Sequence, residues 1–66
     1  MKTYKIDPKE KGWQSISGDT AVIVAYYKDG HKEKMELFEY LAYPKRRKNV
    51  IRIDCYTEEE KHLIEL

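Results

Sequence analysis

The chain has 66 residues, 41% of them apolar and 38% charged, and 13 Lys and Arg stand against 12 Asp and Glu for a net charge of +1. That length allows one small domain, residues 1–66, and excludes a multi-domain enzyme, a solenoid or a transmembrane bundle. Aromatic content of 12% with almost no net charge argues against disorder, and no whole-molecule field is strong enough to hold nucleic acid or an anionic membrane, so such binding must come from a local patch.

The N-terminal arm, residues 1–18, is the least determined part. Tyr4-Lys5-Ile6 reads as a short strand, and Pro8 with Lys9-Glu10-Lys11-Gly12 as a solvated turn. Trp13 and Ile16 read as a second extended piece that ends at Ser17-Gly18-Asp19. The first residues lack the apolar core of a signal peptide. The longest apolar run, residues 21–27, is far below the ~20 residues needed to cross a bilayer.

Residues 20–28 carry the clearest strand pattern: Val22, Ile23 and Val24 are β-branched, two tyrosines follow, and Gly and Asp bound the run. Asp29-Gly30 predicts a two-residue hairpin turn. That turn would set Val24 opposite Met35 and Val22 opposite Leu37 on the inner face, leaving Ile23, Tyr27 and Phe38 outside. A helix competes for residues 32–43, because Met35, Leu37, Phe38, Leu41 and Ala42 fall on one helical arc. The Asp-Gly pair favours the hairpin.

Pro44-Lys45-Arg46-Arg47-Lys48-Asn49 is a turn on either reading, since Pro cannot donate to a ladder and adjacent cations stay solvated. Residues 50–56 resume a strand with Ile51, Ile53 and Cys55 facing one way and Arg52, Asp54 and Tyr56 the other. Thr57-Glu58-Glu59-Glu60 reads as a capping box opening a short C-terminal helix with Leu63, Ile64 and Leu66 on its apolar side. The expected fold is therefore α+β: a small antiparallel sheet of three to four strands and a short C-terminal helix.

Little in the sequence points to catalysis. Cys55 is expected on the core face, where a thiol behaves as a small hydrophobe, and His31 and His62 read as solvated surface residues. Gly12, Gly18 and Gly30 are too widely spaced for a phosphate loop. One Cys and two distant His residues do not make a zinc site. No enzyme activity, cofactor or metal is expected, and the single thiol points to a reducing, cytoplasmic compartment.

Two features point to binding. The first is the aromatic content: alternation forbids all six tyrosines from facing one core, so an outer surface with Trp13, Ile23, Tyr27, Phe38 and Tyr40 would be too apolar to stay bare. The leading expectation is a non-catalytic adaptor or inhibitor that docks this sheet surface on a protein partner. A second copy of the chain, in a homodimer, would also cover it. The second feature is the run Lys45-Arg46-Arg47-Lys48, with Arg52 on the adjoining strand for phosphates and Tyr43 for stacking on a base. The alternative is accordingly a nucleic-acid-binding module. In arrangement alone, without a shared motif, the sheet, basic turns and final helix of the C-terminal half resemble the single-stranded-DNA-binding transcriptional coactivator fold. No long basic amphipathic helix supports a membrane partner.

Overall fold

The β-branched run Val22-Ile23-Val24 lies inside strand β2 (Thr20–Tyr27), as its fit to a pleated, buried surface dictates. In the computed structural model, which describes residues 1–6 and 16–66, β2 lies between β3 (Lys32–Glu36) and β4 (Val50–Thr57), and β1 (Lys2–Lys5) pairs with the far side of β4. Every pairing is antiparallel and the order is β1-β4-β2-β3. Helix α1 (Leu37–Ala42) follows β3, a 3-10 turn (Pro44–Arg47) leads into β4, and a second 3-10 segment (Glu58–Leu63) follows it. The α+β fold expected from sequence is the fold observed. Trp13 and the turn expected at Pro8 to Gly12 lie outside the described residues.

Three local differences decide where the surface lies. The hairpin loop has three residues instead of two. The Tyr27 amide donates to the His31 carbonyl at 2.9 Å, the Gly30 amide donates to the Tyr27 carbonyl at 2.9 Å, and Gly30 has φ 96°. A turn closed by a glycine in the left-handed region gives this loop length, and the Asp29 carboxylate supports it by accepting the His31 amide at 3.0 Å. Ile23 consequently faces Met35, and Ala25 faces Glu33. A one-residue slip exchanges the faces of a strand, so Ile23, Ala25 and Tyr27 go into the core with Tyr40, Val50, Ile53 and Cys55.

The segment after the hairpin divides between the two competing readings. It is strand to Glu36 and helix from Leu37, with the Glu36 amide donating to the Glu39 carboxylate at 3.3 Å in capping-box fashion. Coiling at this point swings Tyr40 into the core, where it is 4% exposed, and half-buries Leu37. The outer face expected of Ile23, Tyr27, Phe38 and Tyr40 is thus corrected: Ile23 is fully buried, Tyr27 and Tyr40 are buried, and Phe38 alone of these four is exposed.

A bulge accounts for Ile51. Tyr26 pairs with Arg52 but Tyr27 pairs with Val50, which leaves Ile51 as the extra residue. Val50 takes the core position and Ile51, expected there, is 47% exposed. Beyond β4, Glu60 accepts the Thr57 amide at 3.0 Å as the capping box requires. The segment takes 3-10 bonding, which is common in short pieces, where a C-terminal α-helix was expected.

The second face of the sheet is built around Asp54, itself 2% exposed. Its carboxylate accepts the Thr3 hydroxyl at 2.8 Å, the Tyr26 hydroxyl at 2.9 Å and two Arg52 nitrogens at 3.1 Å each. These bonds tie β1, β4 and β2 together, and a buried charge with four donors is adequately compensated. Lys32, on the same face opposite Tyr26, donates to the Glu65 carbonyl at 3.5 Å and so ties the C-terminal residues to β3. The edge strands carry Lys2 and Lys5 on one side and Lys32, Glu33, Lys34 and Glu36 on the other, charges that discourage addition of a further strand. Among the described residues no helix is long and apolar enough to cross a membrane.

Candidate nucleic-acid interface

Antiparallel pairing brings the end of β2 beside the start of β4, so the hairpin loop after β2 meets the basic turn before β4. The Lys28 amide donates to the Asn49 carbonyl at 2.8 Å and fastens the two loops together. Asn49 has φ 67°, a conformation that Asn tolerates better than most residues, and it redirects the chain from the turn into β4. β1 ends at the same place, where the Ile6 amide donates to the Ile51 carbonyl at 2.9 Å.

The basic turn is held from below. Pro44 starts it with a preset φ, and the Arg46 and Lys48 amides bond back to the Tyr43 and Lys45 carbonyls at 2.9 and 3.4 Å. The Tyr27 hydroxyl rises from the core between the Arg46 carbonyl at 2.9 Å and the Glu33 carboxylate at 2.8 Å. Burial, then the bond to Glu33, pushes the Tyr27 pKa up to about 12, so this anchor keeps its proton at neutral pH. The His31 ring stacks on Tyr27 with centroids 4.2 Å apart and bonds the Asp29 carboxylate.

The four cations of the turn divide by environment. Arg46 approaches Glu39 at 3.5 Å, and half-buried Arg47 donates to the Leu41 carbonyl at 3.4 Å, so both lean on α1. Lys45 and Lys48 are exposed, as is Lys28 across the loop junction. Lys28, Arg47 and Lys48 line one shallow groove with Asn49, above the apolar side chains of Ile6 and Ile51. Tyr43, 53% exposed, borders the turn, and Phe38 and Leu41 are 63% and 43% exposed on the adjoining helix.

Arg52 does not join this cluster. It stands on the second face of the sheet, bidentate to Asp54 and 4.6 Å from the centroid of the Tyr26 ring. Its guanidinium is committed to holding the fold. The structure supplies Lys28 and Asn49 in its place, neither of which was singled out from sequence. The signal was present: pairing the two clearest strands antiparallel sets Lys28 against the residue that ends the basic run. Asp19, Glu36, Glu58, Glu59 and Glu60 lie at the other end of the sheet, while Asp29, Glu33 and Glu39 stand near the basic turn, bonded to His31, Tyr27 and Arg46.

Cys55 has the opposite of an activated environment. Burial pushes its thiol up to about 11, with a hydrogen bond to Thr20 only partly offsetting it. A thiolate is needed for attack, and a thiol in this state is packing material. No protein-family model matches the chain, and neither a curated protein nor a solved structure matches it.

Proposed function

We propose that this chain is a non-catalytic module that binds single-stranded nucleic acid through the sheet end formed by the hairpin loop and the basic turn. The observation that carries this reading is the junction at Lys28 and Asn49, which adds a distant cation to the run 45–48 beside an exposed tyrosine. Cations that converge from separate loops on one groove give a longer track for phosphates than a four-residue run does, and an exposed ring offers any unpaired base a stacking platform. Five acids, Asp19, Glu36, Glu58, Glu59 and Glu60, lie at the other end of the sheet, which limits their effect on the field at this one. The near-neutral total then limits non-specific attraction without removing the local patch.

The test is binding of a fluorescent oligothymidine across a salt series. Counterion release predicts detectable affinity at low salt that falls linearly on a logarithmic plot, with a slope of about −0.7 for each phosphate neutralised. Replacing Lys45, Arg46, Arg47 and Lys48 together with Ala removes the binding while the far-ultraviolet circular dichroism stays the same. Absence of binding at low salt overturns the reading.

Protein docking keeps one specific support, in a different place from the sheet surface that the sequence indicated. Phe38 and Leu41, one helical turn apart on α1, expose apolar area next to the basic turn. In this second reading the chain is an adaptor or inhibitor with α1 as its contact. It predicts that Phe38→Ala abolishes capture of a partner, and that the fourfold Ala variant of the turn does not.

A further inference from the structure

We infer that the phosphate seat of this module is the groove between Lys28 and Lys48, floored by Ile6 and Ile51, and not the Tyr43–Arg46 flank of the turn. The inference rests on the nucleic-acid reading above and locates its contact. The two flanks of the turn differ in what already occupies them. On the α1 side, Arg46 faces the Glu39 carboxylate at 3.5 Å, and an incoming phosphate would meet that negative charge. On the hairpin side, Lys28, Arg47 and Lys48 line the groove with the Asn49 amide, and no carboxylate lines it among the described residues. An anion there gains from both Lys28 and Lys48, with no carboxylate among the described lining residues to compete with it.

The groove is also held in shape. Its two walls come from different loops, locked by the 2.8 Å bond between the Lys28 amide and the Asn49 carbonyl. The left-handed Asn49 fixes where the Lys48 stem leaves the turn. Preorganised walls reduce the ordering cost of binding. The floor adds discrimination of ligand type. Ile51 is exposed because the β4 bulge expels it from the core, and with Ile6 it offers an apolar strip beside the cations. A phosphodiester carrying sugar and base can lie along cations and strip together, whereas a bare anion uses the cations alone.

The experiment compares wild type, Lys28→Ala, Lys28→Arg and the pair variant Lys45→Ala/Arg46→Ala, with oligothymidine and inorganic phosphate as probes. Amide resonances are followed by nuclear magnetic resonance and affinity is measured over a salt series. The expected result is that oligothymidine shifts the amides of Lys28, Lys48, Asn49 and Ile51. Lys28→Ala should weaken binding and reduce the magnitude of the salt slope by about 0.7, the loss of one phosphate contact on a single strand, and Lys28→Arg should restore it. Inorganic phosphate should shift the Lys28 and Lys48 amides but leave Ile51 unmoved. If oligothymidine binds with unchanged affinity to Lys28→Ala and its shifts fall on Tyr43 to Arg46, the seat is overturned and the nucleic-acid reading stands. If it binds no variant at low salt, that reading is overturned and the seat with it.

Discussion

Lys28 and Asn49 lie far apart in the chain, yet the amide of the first donates to the carbonyl of the second at 2.8 Å. This bond joins the hairpin loop to the basic turn, and it depends on Asn49 holding a positive φ of 67°. Ala at this position should cost about 1 kcal/mol, because a β-carbon is strained in the left-handed region, whereas Gly should be near neutral. Urea unfolding of Asn49→Ala and Asn49→Gly measures both. Equal stability of the two variants would show that the turn does not need this conformation.

Asp54 makes stability depend on acid. Burial alone would raise its pKa, but the Thr3 hydroxyl, the Arg52 guanidinium and the Tyr26 hydroxyl outweigh that and hold it below the usual carboxylate value. A carboxylate depressed by folding stabilises the native state at pH values above its unfolded pKa of ~3.9, and the contribution is lost as pH falls through the folded value. Wild type should therefore lose stability from about pH 4 downward. Asp54→Asn should be less stable at neutral pH by about 1–3 kcal/mol, the cost of weakening buried charge-assisted hydrogen bonds, with a flatter acid limb. Half-buried Glu60, whose pKa is lowered to about 2 by bonds to the N-terminal ammonium and the Thr57 amide, titrates in the same range. The difference between the two proteins isolates Asp54. Parallel acid limbs would contradict the assignment.

The strands were legible because their signals are local. The Val22-Ile23-Val24 run, the alternation through Ile53 and Cys55 and the Asp29-Gly30 turn each declare an element from neighbouring residues. Faces were less legible, because each turned on one extra residue. A third residue in the hairpin loop moved Ile23 and Tyr27 from outside to core, and the bulge at Ile51 exchanged it with Val50. Period-2 patterns cannot resolve such a slip when both faces of a strand are apolar, as in β2. The change from strand to helix at Leu37 was hidden for a related reason. The segment satisfies both periods, and only the tertiary position of Tyr40 chooses between them. The basic run was plain in the sequence, but its neighbour Lys28 belongs to it only through the pairing of β2 with β4.

Cys55 gives a probe of opening. It is 3% exposed and its thiol is pushed up to about 11, so both access and ionisation protect it. Native protein should resist alkylation by iodoacetamide at pH 8, and the same protein in denaturant should react at the rate of a free thiol. The residual native rate then reports opening of the central sheet. Asp54→Asn should raise that rate in proportion to its loss of stability. A fast rate in the folded wild type would show that Cys55 is reached without unfolding.

Phe38 and Ile53 contrast in what truncation removes. Ile53 is fully buried between β1 and β2, and Ile53→Ala leaves a cavity expected to cost about 2–5 kcal/mol. For a domain this small such a loss is a large share of the total, so Ile53→Ala should be unfolded or close to it at 37 °C. Phe38 is 63% exposed, and Phe38→Ala should change stability by no more than about 0.5 kcal/mol. Thermal unfolding of the two variants separates them directly. The small effect expected at Phe38 makes it a clean test of docking: a binding defect in Phe38→Ala would arise at the surface of α1. If Phe38→Ala instead lowers stability as much as Ile53→Ala does, the ring is packed against the protein, and the exposed apolar strip on α1 no longer supports a protein partner.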